Sequence, residues 1–345
     1  MLFVIFFCCQ HITEKAQEAI SNESSIRLPI TIDSYLDGGG MFFRVSLSLD
    51  GGKPFDVLLD TGSEGLRIFG SELPEESIPY SMNEISTAHT VQFGFSELMT
   101  GPLVQTNVQM GEHEELNERM IIHWIEEFSC LYADPNCLFA EDSAPFFTDM
   151  GIYGILGTSL RSGQESELYN PFSQLPEPYS NEYLIHWDKT SSTGSIQLGS
   201  LYISEEIANQ YTSISLTPNG SLPNGMYAWE DDTIRGCFYA NDTPIYAPCT
   251  ELVLDSGSSA DVVYTSDPDP DWIDWDILAP GVQFTAQIDD VFSYSFLVGH
   301  TPEPSIDLVF IDTVEPFSLL GIRFFMENDV GYNLQTGEIV LKANN

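Results

Sequence analysis

Apolar and polar residues alternate along most of this chain in short runs, a period of two that predicts strands. The runs are "MFFRVSLSL" (41–49), "PFDVLLD" (54–60), "HTVQFGF" (89–95), "LVQTNVQM" (103–110), "GSIQLGS" (194–200), "ELVLDSG" (251–257) and "GEIVLKA" (337–343). Gly, Asp, Asn and Pro punctuate the intervals, so antiparallel sheets are expected rather than βαβ units, and the fold class read from the pattern is all-β. One stretch breaks the rhythm. In "HEELNERMIIHWIEEF" (113–128) apolar residues recur at Leu116, Met120, Ile121, Trp124 and Ile125, a spacing that predicts a helix. Residues 10–26 are polar and predict a disordered lead-in. The Pro-rich "YNPFSQLPEPYSNEY" (169–183) predicts an irregular connection.

One of these strands recurs. "FDVLLDTGSEG" (55–65) returns as "TELVLDSGSSA" (250–260): a hydrophobic strand ending in Asp, then Thr or Ser, Gly and Ser. Each copy also has a downstream apolar pair followed by Gly, "GILG" at 154–157 and "LLGIRFF" at 319–325. A single D-[ST]-G-[ST] arises by chance in roughly a few per cent of chains this long, and alone it is ordinary turn chemistry. Two copies in the same order, each behind a strand, point to an internal duplication and to one site built from both halves.

The 345 residues suffice for two units. Charge narrows the partners: 52 acidic against 11 basic residues, formally −41, argues against nucleic acid and against docking on an anionic membrane. The six cysteines fall into pairs by position. Cys130–Cys137 and Cys237–Cys249 each enclose a turn-rich segment, and two disulfides in an oxidising compartment are favoured over free thiols. Neither pair forms CxxC, and no Cys or His set has metal-ligand spacing, so neither metal nor cofactor is expected. "MLFVIFFCCQ" at the start is too short to span a bilayer. It reads as an export-signal remnant in preference to a lipid-attachment site at Cys8 or Cys9, which places the protein outside the cytoplasm.

Two carboxylates at the ends of duplicated strands can meet across a pseudo-two-fold axis. At that separation they cannot both ionise, so they share a proton. One can take a proton from water while the other polarises a carbonyl, which is amide hydrolysis without metal or covalent intermediate. In this reading Asp60 and Asp255 react. Gly62 and Gly257 let backbone approach the carboxylates, Ser63 and Ser258 donate to them, and the Thr61 and Ser256 hydroxyls bond backbone of the opposite half.

On these motifs residues 38–345 resemble the pepsin-type, two-lobed aspartic proteases, and "DTGSEGLR" resembles a divergent bacterial-type branch of them. The resemblance implies an N-terminal lobe (27–192) with Asp60 and a C-terminal lobe (193–345) with Asp255, behind a lead-in at 1–26. It implies a monomeric endopeptidase, acting on polypeptide at acid pH and inhibited by pepstatin, with a pepsin-fold peptide-binding protein as the alternative. "VQFGFSELMTGPLVQTNVQMG" (91–111) resembles the β-hairpin flap that closes over substrate, with Phe93, Gly94 and Phe95 at its tip. Two positions depart from the family. Phe93 stands where the flap usually has Tyr. Arg67 stands where the first motif often has the Trp that bonds that Tyr, so the usual flap contact is absent.

Overall fold

A computed structural model describes residues 25–34, 41–94, 96–131, 137, 139, 145–163, 167–199, 209–245, 249–265, 273–274, 277–299, 308–312 and 317–344. Phe95, Cys8 and Cys9 lie outside the described residues. Among the described residues the protein is all-β, with strands far outweighing helix. The first eleven strands are β1 (Ser25–Ser34), β2 (Met41–Leu49), β3 (Phe55–Asp60), β4 (Glu64–Phe69), β5 (Asn83–Phe93), β6 (Glu97–Met110), β7 (Asn117–Ile125), β8 (Glu127–Cys130), β9 (Ile152–Thr158), β10 (Glu182–Asp188) and β11 (Thr193–Gly199). All belong to one 14-stranded sheet, completed by Thr212–Ser215, Asn328–Asn333 and Glu338–Ala343. A second sheet of 10 strands is built from the later part of the chain. The first strand begins at Ser25, just inside the expected lead-in. The 192/193 boundary falls in the turn between β10 and β11, which pair in one sheet.

The seven predicted strands are present, with ends that shift by a few residues. The helix expected over 113–128 is absent. A short 3-10 turn, Glu114–Leu116, leads into β7, which pairs with β6 on one side and with β4 on the other. Leu116, Met120, Ile122 and Trp124 are buried at every second or fourth position, which fits a strand as well as a helix. The β-branched Ile121, Ile122 and Ile125 and the open edges of β4 and β6 decide for the strand.

The echo in the sequence is an echo in topology. β3 runs parallel to β9, with Asp60 opposite Gly157, and β4 returns antiparallel along the other side of β9. In the second sheet Thr250–Leu254 runs parallel to Phe317–Leu320, and Asp261–Tyr264 returns against it. Each Asp-bearing turn is thus bracketed by the strand that carries the apolar-apolar-Gly sequence. The glycines are required there. A Cβ on Gly157 would lie 2.8 Å from the Ser63 carbonyl oxygen, and one on Gly321 would lie 2.8 Å from that of Ser258. Backbone bonds from Ser159 N–H to Ser63 and from Ile322 N–H to Ser258 close both turns, at 2.9 and 2.8 Å.

Both expected disulfides form, Cys130–Cys137 and Cys237–Cys249. They suggest an oxidising, extracytoplasmic environment. Among the described residues no helix is long and apolar enough to cross a membrane.

Candidate functional site

The sequence places Asp60 at the last position of β3 and Asp255 just past Thr250–Leu254, and the fold brings the two turns face to face. Four hydrogen bonds cross between them. Thr61 donates its hydroxyl to the Leu254 carbonyl at 2.6 Å and accepts from Ser256 N–H at 2.9 Å. Ser256 donates to the Leu59 carbonyl at 2.8 Å and accepts from Thr61 N–H at 3.1 Å. Both hydroxyls are buried, so each bond forms without competition from water.

This lock presses each glycine against the other half's carboxylate. A Cβ on Gly62 would sit 2.6 Å from Cγ of Asp255, and a Cβ on Gly257 would sit 2.7 Å from Cγ of Asp60. Each Asp is also held by its own turn: Gly62 N–H donates to Asp60 and Gly257 N–H to Asp255, both at 2.8 Å. Burial first, then the charge of Asp60 and a hydrogen bond with it, push Asp255 well above the usual carboxylate range. Asp255 thus keeps its proton to a higher pH than an ordinary carboxylate.

The serines that follow are not equivalent. Ser63 donates to Asp60 Oδ2 at 2.5 Å, as expected. Ser258 does not donate to Asp255; its hydroxyl turns back to the Ala260 carbonyl at 2.7 Å, closing a local turn. Asp60 thus accepts one more donor than Asp255 does.

The β5–β6 hairpin lies over a hydrophobic cluster, separate from the main core, that includes Phe42, Phe69, Phe128, Phe139 and Phe147. Phe93, at the end of β5, meets Phe147 edge-on with centroids 6.3 Å apart, and Gly94 turns the chain with φ of 59°. β8 pairs with Glu97–Thr100, Leu131 N–H donates to the Ser96 carbonyl at 2.6 Å, and the Cys130–Cys137 disulfide follows directly. The hairpin tip is therefore buttressed from below, which the sequence did not signal.

A charged network also went unsignalled. Arg161, just past β9, donates to the Gly62 carbonyl at 2.6 Å. It pairs with Glu64 at 2.9 Å, Asp231 at 3.4 Å and Asp232 at 2.8 Å. Burial alone would lower the guanidinium pKa, but Asp231, Glu64 and Asp232 together raise it. Asp231 is itself buried and pushed up to about 6, desolvation outweighing Arg161. The only sequence clue is that Arg161 is one of 11 basic residues and stands four positions after Gly157. Its carboxylate partners come from a distant turn.

Arg67 lies in β4, 7% exposed, with Nη1 donating to the Glu64 carbonyl at 2.6 Å. Its register partner on β7 is His123, fully buried, whose ring bonds the Gly101 carbonyl at 3.0 Å. Burial and then Arg67 lower His123 to about 4.

Residues 55–168 match the model of a family described as a protein of unknown function (DUF3443). The match covers about a third of the chain and contains Asp60, β5–β6 and Arg161, but not Asp255. A search of curated proteins found no match.

Proposed function

We propose that this protein is an aspartic endopeptidase of the pepsin type, with the 14-stranded and 10-stranded sheets as its two lobes. One observation carries the reading: Asp60 and Asp255 lie at the meeting point of two duplicated turns, each pressed against the other's glycine, and burial beside Asp60 pushes Asp255 well above the usual carboxylate range. That pairing is costly, because two buried carboxylates repel and a structural role would be served as well by Asn. With the proton on Asp255, Asp60 takes a proton from a water held between them. The water oxygen attacks the peptide carbonyl carbon, and Asp255 gives its proton to the carbonyl oxygen. Collapse of the tetrahedral species breaks the C–N bond as the amine nitrogen takes the proton from Asp60 and one hydroxyl of the gem-diol returns its proton to Asp255, restoring both carboxyl groups. The substrate is polypeptide, the environment extracytoplasmic, and the chain acts as a monomer without metal or cofactor.

A pH-resolved digest of a peptide library, with and without pepstatin, tests this. Cleavage should be strongest in acid and blocked by pepstatin. Asp60→Asn and Asp255→Asn should each cost about a thousandfold or more in turnover, since the pair acts as a unit. Absence of turnover anywhere from about pH 2 to 7 overturns the reading. Phe93 favours a second one, a pepsin-fold peptide-binding protein of weak activity, because a Phe at the hairpin tip brings no hydroxyl to the site. Pepstatin binding without any cleavage would select it.

A further inference from the structure

Arg67 is a buried cation with no carboxylate of its own. Nη1 reaches only a backbone carbonyl, and Nε is buried without a partner. Nη2 bonds to none of the described residues yet is not among the fully buried orphan atoms, so it keeps contact with solvent. A guanidinium has five donors, and burying it is expensive unless they are met.

The two carboxylates whose charge reaches it are committed elsewhere. Glu64 pairs with Arg161, and Asp60 accepts from Gly62 and Ser63 and lies against the Asp255 turn. On β4, Leu66 and Ile68 face the main core, while Phe69, and by alternation Arg67, face the cluster on which Phe93 rests. The strands flanking Arg67 offer His123 and Ile155 in register, and neither supplies negative charge. His123 is neutral above about pH 4, and its neighbour His89 on β5 can only add positive charge.

We propose that Arg67 is a specificity residue that receives a carboxylate of the peptide bound at the Asp60–Asp255 centre, so that the enzyme selects acidic substrates. The inference rests on the endopeptidase reading. A planar guanidinium with Nη2 open suits a carboxylate better than an amide, and a charge-assisted bond in a partly dry site separates the two by about tenfold or more. The preference needs the substrate carboxylate ionised. It should hold above about pH 5 and fade toward pH 3, as Glu protonates near 4.3.

The test is a matched set of peptides and statine-containing peptide inhibitors, with Glu or Gln at each subsite and with free or amidated C-termini. Both cleavage and inhibitor binding by calorimetry are read, on the wild type, Arg67→Lys and Arg67→Met. The expected result is a Glu-over-Gln ratio of about ten at one subsite, reduced in Arg67→Lys and near one in Arg67→Met. Discrimination by the C-terminal group alone would instead assign the carboxylate to the chain end. A ratio near one in the wild type, or one unchanged in Arg67→Met and across pH, overturns the proposal. If Arg67→Met does not fold, the pH dependence of the wild-type ratio decides. If no peptide is cleaved the endopeptidase reading falls, while the inhibitor-binding ratio still judges Arg67.

Discussion

Thr61 and Ser256 each donate a hydroxyl to the strand that leads into the other, and each accepts the other's backbone N–H. The two Asp-bearing turns are thereby held in register by side chains that touch neither carboxylate. Thr61→Val keeps the shape but orphans the Leu254 carbonyl and the Ser256 N–H, both buried. The expected loss is about 2–4 kcal/mol, and Ser256→Ala should lose a similar amount. Thr61→Ser keeps the hydroxyl and should cost less than about 1 kcal/mol. Urea unfolding of the three variants checks this. Equal stability of Thr61→Val and wild type would mean that the turns are held by other contacts.

The glycines between these residues and the carboxylates make a different prediction, because they limit approach rather than supply bonds. A methyl at Gly257 would enter the space of Asp60 Cγ, at 2.7 Å, and one at Gly62 that of Asp255 Cγ, at 2.6 Å. Neither glycine has positive φ, so backbone strain does not enter. Gly257→Ala should therefore force the carboxyl groups apart at a cost typical of overpacking, about 1–3 kcal/mol, and turnover should fall further than stability does. Peptide cleavage and melting measured side by side separate the two effects. A stability loss with turnover intact would show that the pair tolerates a wider spacing.

Much of this site was legible because it is written twice. One Asp-Thr-Gly-Ser is turn chemistry, but the second copy and the matched Gly157 and Gly321 define a topology. The asymmetries were not legible. Ser63 and Ser258 occupy equivalent positions in the motif, yet Ser258 bonds Ala260, a choice set by the local turn after it. The segment 113–128 misled because its apolar residues satisfy both periods, and only the partners β4 and β6 resolve them. Arg161 carried little signal beyond its place four positions after Gly157, since Asp231 and Asp232 reach it from about 70 positions away.

Arg161 ties the Gly62 carbonyl to that distant acidic turn. Arg161→Met leaves the buried Asp231 without its cation and should destabilise by about 3–5 kcal/mol, the usual cost of breaking a buried pair from one side. Asp231→Asn in the same chain removes the stranded charge and should recover a large part of that loss. A double-mutant cycle by denaturant unfolding measures it. Additive effects of the two changes would mean that Arg161 acts on the turn through Gly62 and Glu64 alone.

Folding stability should rise as pH falls from about 8 to about 5. Desolvation raises three buried carboxyl groups: Asp231 to about 6, Asp261 to about 7, and Asp255 well above its usual range. In that window the folded chain binds more protons than the unfolded one, so acid favours the fold, and the favourable term is complete only below the unfolded carboxylate range. His123 acts with the opposite sign: lowered to about 4, it stays neutral in the fold while the unfolded ring takes up a proton below about 6.5. One histidine opposes three aspartates, and acidification also relieves the repulsion of a chain with net charge −41, so the aspartates prevail. Asp261 is the cleanest handle. Its Oδ1 accepts from Gly321 N–H at 2.7 Å while Oδ2 is buried with no partner among the described residues. Asp261→Asn keeps the acceptor and removes the titration, and should flatten the slope of melting temperature against pH. A melting temperature that falls steadily from pH 8 to pH 5 in the wild type would place these carboxylates, Asp255 included, in the ionised state throughout.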